Sequence, residues 1–227
     1  ALQLAREAVA GNPDNMWYKI LLANILQKKA MIEEACNVYA DIIAKYPNKE
    51  EFYLIEAELY ISVEKWQKAI EVFDRYEQQN GITEPVSIEK IKLYTKLDDV
   101  KKASNELLKL IRKFPDKSEY LSLLAELYFN YNQDKKGLQI LDRILKAEPD
   151  NGFVHFYLAD YYRSKKELKE ADKHTKEALV SDKIENGYKI QYILKLILNP
   201  DTTLTSDSQL DNYLFHAYAD RPEGDLT

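Results

Sequence analysis

Residues 16–49 read MWYKILLANILQKKAMIEEACNVYADIIAKYPNK, and their layout decides the fold. With Met16 as position 1, Lys19, Ala23 and Leu26 fall at positions 4, 8 and 11, one face of a first helix. Ala35, Tyr39 and Ile42 fall at positions 20, 24 and 27, one face of a second. The stretch closes at Pro47, position 32, a normal stop beyond a helix C-terminus.

The same layout recurs along the chain. Pro13 and Pro47 are 34 residues apart, as are Pro115 and Pro149, and the rung missing between Pro47 and Pro115 is Gly81, another helix breaker. Units begin at Met16, Glu50, Glu84, Ser118, Gly152 and Asn186. Position 8 reads Ala23, Ala57, Ile91, Ala125, Ala159, Ile193; position 11 reads Leu26, Tyr60, Tyr94, Tyr128, Tyr162, Leu196. Position 20 reads Ala35, Ala69, Ala103, Gly137, Ala171, with large residues mostly at 24 and 27. Small residues at 8 and 20 predict a close crossing of the two helices, toward the short end of about 8–10 Å. A fixed period of this length means stacked hairpins, none stable alone.

The period, the small residues at 8 and 20, the aromatic at 11 and the Pro at 32 resemble the tetratricopeptide repeat (TPR) over nearly the whole chain. The resemblance implies an all-α fold, an α-solenoid of helical hairpins forming a right-handed superhelix. The departures are at position 4, usually Trp but here Lys19, Tyr53, Ser87, Leu121, His155 and Lys189, and at Lys183 in place of Pro.

The expected organisation is a single array. Residues 1–15 fit the second helix of a cut repeat; 16–49, 50–83, 84–117, 118–151 and 152–185 are regular repeats. Residues 186–224 form an irregular repeat, because Leu210, Leu214, Ala217 and Pro222 keep the spacing of positions 20, 24, 27 and 32 but arrive late. A five-residue insertion within the polar stretch 199–208 accounts for the delay, with Ser206 or Asp207 as the helix cap. Residues 225–227 would start a further unit, so the chain reads as an excerpt of a longer repeat protein.

Composition narrows the function. The chain has 227 residues, 45% apolar and 31% charged, with net charge −6 and the signs interspersed. Nucleic-acid binding needs a concentrated basic patch, and none is visible. No run of about 18 apolar residues exists, so no membrane insertion is expected. The single cysteine, Cys36, excludes an internal disulfide and reads as a buried thiol. Usage rich in Lys, Ile, Asn and Tyr resembles AT-rich bacteria, in which long proteins of this family are often exported or lipid-anchored. That analogy leans toward a bacterial, exported or membrane-associated chain and leaves a cytoplasmic one open.

By family resemblance, positions 2, 5, 9 and 12 of the first helices line a concave groove. There the chain places Trp17, Ile20 and Asn24; Leu54 and Glu58; Ile88 and Lys92, with Lys96 at position 13; Glu126 and Phe129; and Phe153, Phe156, Asp160 and Arg163. Apolar and aromatic groups with charged neighbours are the anchors of protein interfaces. Trp17, Phe129 and Phe153 are expected to be exposed. Ile20, Leu54 and Ile88 either face the groove or pack against the adjacent repeat. Family members that grip the C-terminal carboxylate of heat-shock chaperones use Lys and Asn at positions 5 and 9; here only Asn24 matches, against Ile20 and Glu58. At position 7, normally a buried Leu, stand Glu56 and Lys90, and the expectation is an ion pair between them.

No active site is expected. His155, His174 and His216 lack zinc-site spacing, and no phosphate loop or nucleophile elbow occurs. His155 stands at a packing position and reads as core. No cofactor or metal is implied. The leading reading is a non-catalytic scaffold holding a protein or peptide segment. The alternatives are a structural spacer that self-assembles through its cut ends, and a regulatory segment of a larger exported or membrane-anchored assembly protein.

Overall fold

The computed structural model describes residues 1–115, 117, 119–198 and 207–218. They hold thirteen α-helices: α1 (Leu2–Gly11), α2 (Met16–Lys28), α3 (Ile32–Lys45), α4 (Glu50–Ser62), α5 (Trp66–Asn80), α6 (Glu84–Lys96), α7 (Val100–Lys113), α8 (Glu119–Asn130), α9 (Asp134–Ala147), α10 (Gly152–Ser164), α11 (Leu168–Val180), α12 (Asn186–Leu198) and α13 (Asp207–Tyr218). The fold is an all-α solenoid of helical hairpins, and the described residues contain no strand. None of their helices is long and apolar enough to cross a membrane. The chain divides into two compact units, Ala1–Leu127 and Tyr128–Thr227, with the boundary inside α8.

In the first unit each helix packs on the next: α1 on α2, the hairpins α2–α3, α4–α5 and α6–α7, and the joins α3–α4 and α5–α6. The small residues sit where the hairpins close, and Ala23, Ala35, Ala57, Ala69 and Ala103 are fully buried. Rings fill the space between neighbours. Tyr39 stacks on Phe52 with centroids 6.0 Å apart, and Tyr53 meets Tyr76 edge-on at 5.8 Å. Cys36 is buried, and its burial pushes the thiol up to about 11.

In the second unit α10 and α11 form the tightest hairpin, closed over Ala159 and Ala171. Its main core joins Phe156, Ala178, Leu179, Ile184, Tyr192 and Tyr213. Among the late-arriving residues, Ala217 is buried and Leu210 packs against the core. Leu214 is partly exposed, and Tyr213 beside it is fully buried with its hydroxyl donating to Asp172 (2.9 Å). An odd step of one residue therefore turns the aromatic, not Leu214, inward. The expected insertion in 199–206, a cap at Ser206 and the last rung Pro222 lie outside the described residues, as does Ser118.

Every regular hairpin turns through one non-glycine residue with positive φ: Ala30, Glu64, Asp98, Asn132 and Lys166, at 55–63°. These sit 34 residues apart. The following N–H returns to the carbonyl five residues back, as from Met31 to Leu26 and from Lys65 to Tyr60, both at 2.9 Å. The turn residue's own N–H reaches three back, as from Ala30 to Gln27 at 2.9 Å. This pair of bonds is the Schellman closure of a helix, which places its C′ residue in the left-handed region. Asn15 and Asn151, at equivalent places before α2 and α10, cap first-turn N–H groups with their side chains.

Candidate functional site

In the first unit, the groove-stripe positions of α2 and α4 carry large apolar groups that stay in water. Trp17 is 71% exposed and Leu54 40%, while Ile20 and Ile88 are half-buried. Leu21, one turn beyond Trp17 on the same face, is exposed as well. A strict count at positions 2, 5, 9 and 12 passes over it, although the i, i+4 spacing from Trp17 was there to read. Asn24 is exposed, and its side-chain carbonyl accepts from the Tyr39 hydroxyl at 3.4 Å.

The charges differ in how far they are engaged. Lys92 pairs with Glu89 one turn back at 2.7 Å. Glu58, Lys96 and Glu126 are exposed and make no ion pair among the described residues. A surface pair is worth about 0–1 kcal/mol, so Lys92 can exchange its partner for a ligand at little cost, and the other three are open already.

The expected Glu56–Lys90 pair does not form. Glu56, on α4, takes two hydrogen bonds from the Arg75 guanidinium on α5, both 2.8 Å. Lys90, on α6, is almost wholly buried and pairs with Asp74 and Glu77 on α5 (2.7 and 2.8 Å) and with Glu106 on α7 (3.0 Å). Second helices pack between the first ones and supply the opposite charges themselves. Burial raises the Glu56 carboxyl above the ordinary carboxylate range, with Arg75 opposing. Burial works to lower the Lys90 ammonium, but the carboxylates of Asp74, Glu77 and Glu106 outweigh it and hold the group above its usual value.

In the second unit, Phe153 is 55% exposed and meets the exposed Tyr188 of α12 edge-to-face at 6.0 Å. Phe156 departs from the expected role. It is buried, stacked on Tyr192 at 4.0 Å, and belongs to the core. Phe129 departs too. It is half-buried, packed against Tyr157 (5.2 Å) and Tyr161 (5.1 Å), and fills the space that Gly137 leaves by lacking a Cβ. Phe129 and Asp160 instead line one open cleft of 390 Å³, with Tyr157, Tyr161, Asp134 and Lys165.

Asp160 and Arg163 are joined through one hydroxyl. Tyr192 donates to Asp160 (2.9 Å), and Arg163 donates to the Tyr192 oxygen (3.1 Å) and to Thr175 (3.3 Å). Lys195 donates to the other Asp160 oxygen at 2.7 Å. Burial, then the Asp160 charge, pushes the Tyr192 hydroxyl well above the usual phenol range. Carried on into α12, the stripe reads Gly187, Ile190, Leu194 and Ile197, and the three aliphatic groups are exposed. The register pointed to them as plainly as to Phe153.

His155 is buried, with one ring nitrogen 2.9 Å from the Pro149 carbonyl and the other 2.9 Å from His174. The described residues hold no cluster of His, Cys, Asp and Glu suited to a metal ion.

Residues 20–49 match the family model of the tetratricopeptide repeat. The mouse (Mus musculus) interferon-induced protein with tetratricopeptide repeats 2 is 27% identical over 127 residues, which cover 54% of this chain and 27% of that protein. The match thus spans about a quarter of that relative's length. Among solved structures, one of Naa15/Naa10 bound to HypK-THB superposes on 99% of this chain and 37% of its own, at 16% identity and TM-score 0.58. A MamA structure covers 76% of this chain and 94% of its own, at 16% identity and TM-score 0.50. At such identities the likeness concerns the fold.

Proposed function

We propose that this chain of tetratricopeptide repeats is a non-catalytic scaffold that holds a segment of a partner protein against its first helices. The fold is one that supports protein–protein interaction in general. The finer reading rests on one observation. Trp17 and Phe153 occupy the same position of the repeat, and each stays more than half exposed in its own unit. Large rings kept in water at a recurring position act as anchors: on binding they bury much apolar surface at low entropy cost. The open charges Glu58, Lys96 and Glu126 would set register and orientation rather than supply affinity.

The test is a peptide-display screen on the whole chain, followed by titration of the best-bound peptide against Trp17→Ala and Phe153→Ala. At least one variant should weaken binding by about 30-fold, the mark of an anchor worth roughly 2 kcal/mol. The thermal midpoint should hold within a degree or so, because an exposed side chain contributes little to stability. Binding and midpoint falling together would make these rings core and end the groove reading.

The exposed aliphatic row on α12 supports a second reading, self-association. Sedimentation would then show a concentration-dependent oligomer in the wild type that Leu194→Glu abolishes.

A further inference from the structure

Lys189, at position 4 of its repeat on α12, is 6% exposed and lines a cavity of 280 Å³. In the first unit, Lys19 stands at the same position and reaches Asp41 of the paired helix at 3.7 Å. Counting the five-residue delay, the residue of α13 corresponding to Asp41 is His216. His216 lines the same cavity. A base therefore stands where the acidic partner should be, and the Lys189 side chain has no ion pair or hydrogen bond with another described residue. A charged donor that no protein group engages is free to bind an acceptor that enters the cavity.

The geometry points to a carboxylate-binding subsite, in which an acidic side chain of another protein enters this cavity and accepts from Lys189 and His216. Ile184 and Ala217 form an apolar wall that would exclude water and strengthen both bonds. Asp182 and Glu185, both exposed, also line the cavity. With His216 protonated these four charges cancel. A singly charged carboxylate then meets less repulsion than a doubly charged phosphate. The subsite does not depend on the groove, and it can hold or fail by itself.

The experiment follows the ring protons of His216 by NMR in the whole chain, with N-acetyl-aspartyl-N-methylamide as probe. The expected result is a saturable shift at millimolar probe and a rise in the His216 titration midpoint, because an anion that binds the protonated ring must favour protonation. Binding should be tighter near pH 6 than near pH 8, across the ordinary histidine range. Lys189→Met, close in volume, should lose the shift; His216→Gln, read on the Lys189 side-chain resonances, should weaken binding and abolish its pH dependence. The asparagine analogue should do nothing, and inorganic phosphate should bind more weakly. No saturable shift, an unchanged shift in Lys189→Met, or tighter binding of phosphate would each overturn the assignment. So would a His216 signal that moves, without probe, when Asp220, Glu223 and Asp225 are neutralised, since the carboxylate would then be the chain's own.

Discussion

Glu56 and Lys90 stand at the same position of consecutive repeats, yet each is neutralised by a second helix and neither by the other: Arg75 holds Glu56, while Asp74, Glu77 and Glu106 hold Lys90. The two buried charges differ in what their loss leaves behind. Removing Lys90 leaves the nearly buried carboxylates of Glu77 and Glu106 to the half-exposed Lys109 alone (3.7 and 2.8 Å), and one Glu106 oxygen already lacks a hydrogen bond. Removing Glu56 strands Arg75, which is well exposed and can turn to water.

Substitutions by leucine, the residue found at this position as Leu22, Leu124 and Leu158, should therefore diverge. Lys90→Leu should cost about 3–5 kcal/mol, the usual loss when one partner of a buried ion cluster is removed. Glu56→Leu should be neutral or stabilising by about 1 kcal/mol, because the buried carboxylate goes and the charge it leaves, on Arg75, can be hydrated. Urea unfolding monitored by circular dichroism reads both. Equal losses would show that the two charges form one network.

The contact between His155 and His174 should make the second unit sensitive to mild acid. Burial first, then the charges of His155 and Lys173, lower the His174 value below the ordinary range. A histidine whose folded value lies below its unfolded one contributes stability above about pH 6.5, and that contribution is lost as pH falls from there through the folded value. One proton can be shared along the N···N contact; two cannot. Denaturant midpoints of the wild type should drop between about pH 6.5 and 5 by more than those of His174→Phe, whose ring can keep the stack on Tyr162. Parallel profiles would remove the pair from the acid response.

Left-handed turn residues with a Cβ carry avoidable strain. Ala30 sits at φ 59° in the α2–α3 turn. Ala30→Gly should raise stability by roughly 0.5–1 kcal/mol, since relief of about 1–2 kcal/mol of steric cost exceeds glycine's added entropy loss. A thermal midpoint that falls in the variant would contradict this.

Gly137→Ala should act in the opposite direction. A Cβ there would lie 2.6 Å from the Phe129 ring, which Tyr157 and Tyr161 already hold. Overpacking of this kind costs about 1–3 kcal/mol. The paired variant Gly137→Ala with Phe129→Leu should recover part of the loss; full additivity would mean that ring and glycine do not compete for one space.

Much of the fold was legible in the sequence because a repeat states the same fact several times. Ala23, Ala57 and Ala159 at position 8, facing Ala35, Ala69 and Ala171 at position 20, leave hairpins only one way to close. The exposure of Trp17 and Phe153 followed from the same register. Phe129 and Phe156 obey that register and still turn into protein, because Gly137 opened a space for one ring and Tyr192 offered a stacking face to the other. Periodicity says which way a side chain leaves its helix; what waits there belongs to the neighbouring helix.

The sequence by itself determined the all-α solenoid, the pairing of helices and the identity of the small residues at their crossings, since these depend on spacing along one chain. Only the tertiary structure decided who neutralises Glu56 and Lys90, why Asp160, Tyr192 and Arg163 act as one cluster, and that Lys189 and His216 share a cavity. Those relationships join residues on different helices, from 13 to 32 positions apart. Their distances are set by packing between helices, which no period within a single helix encodes.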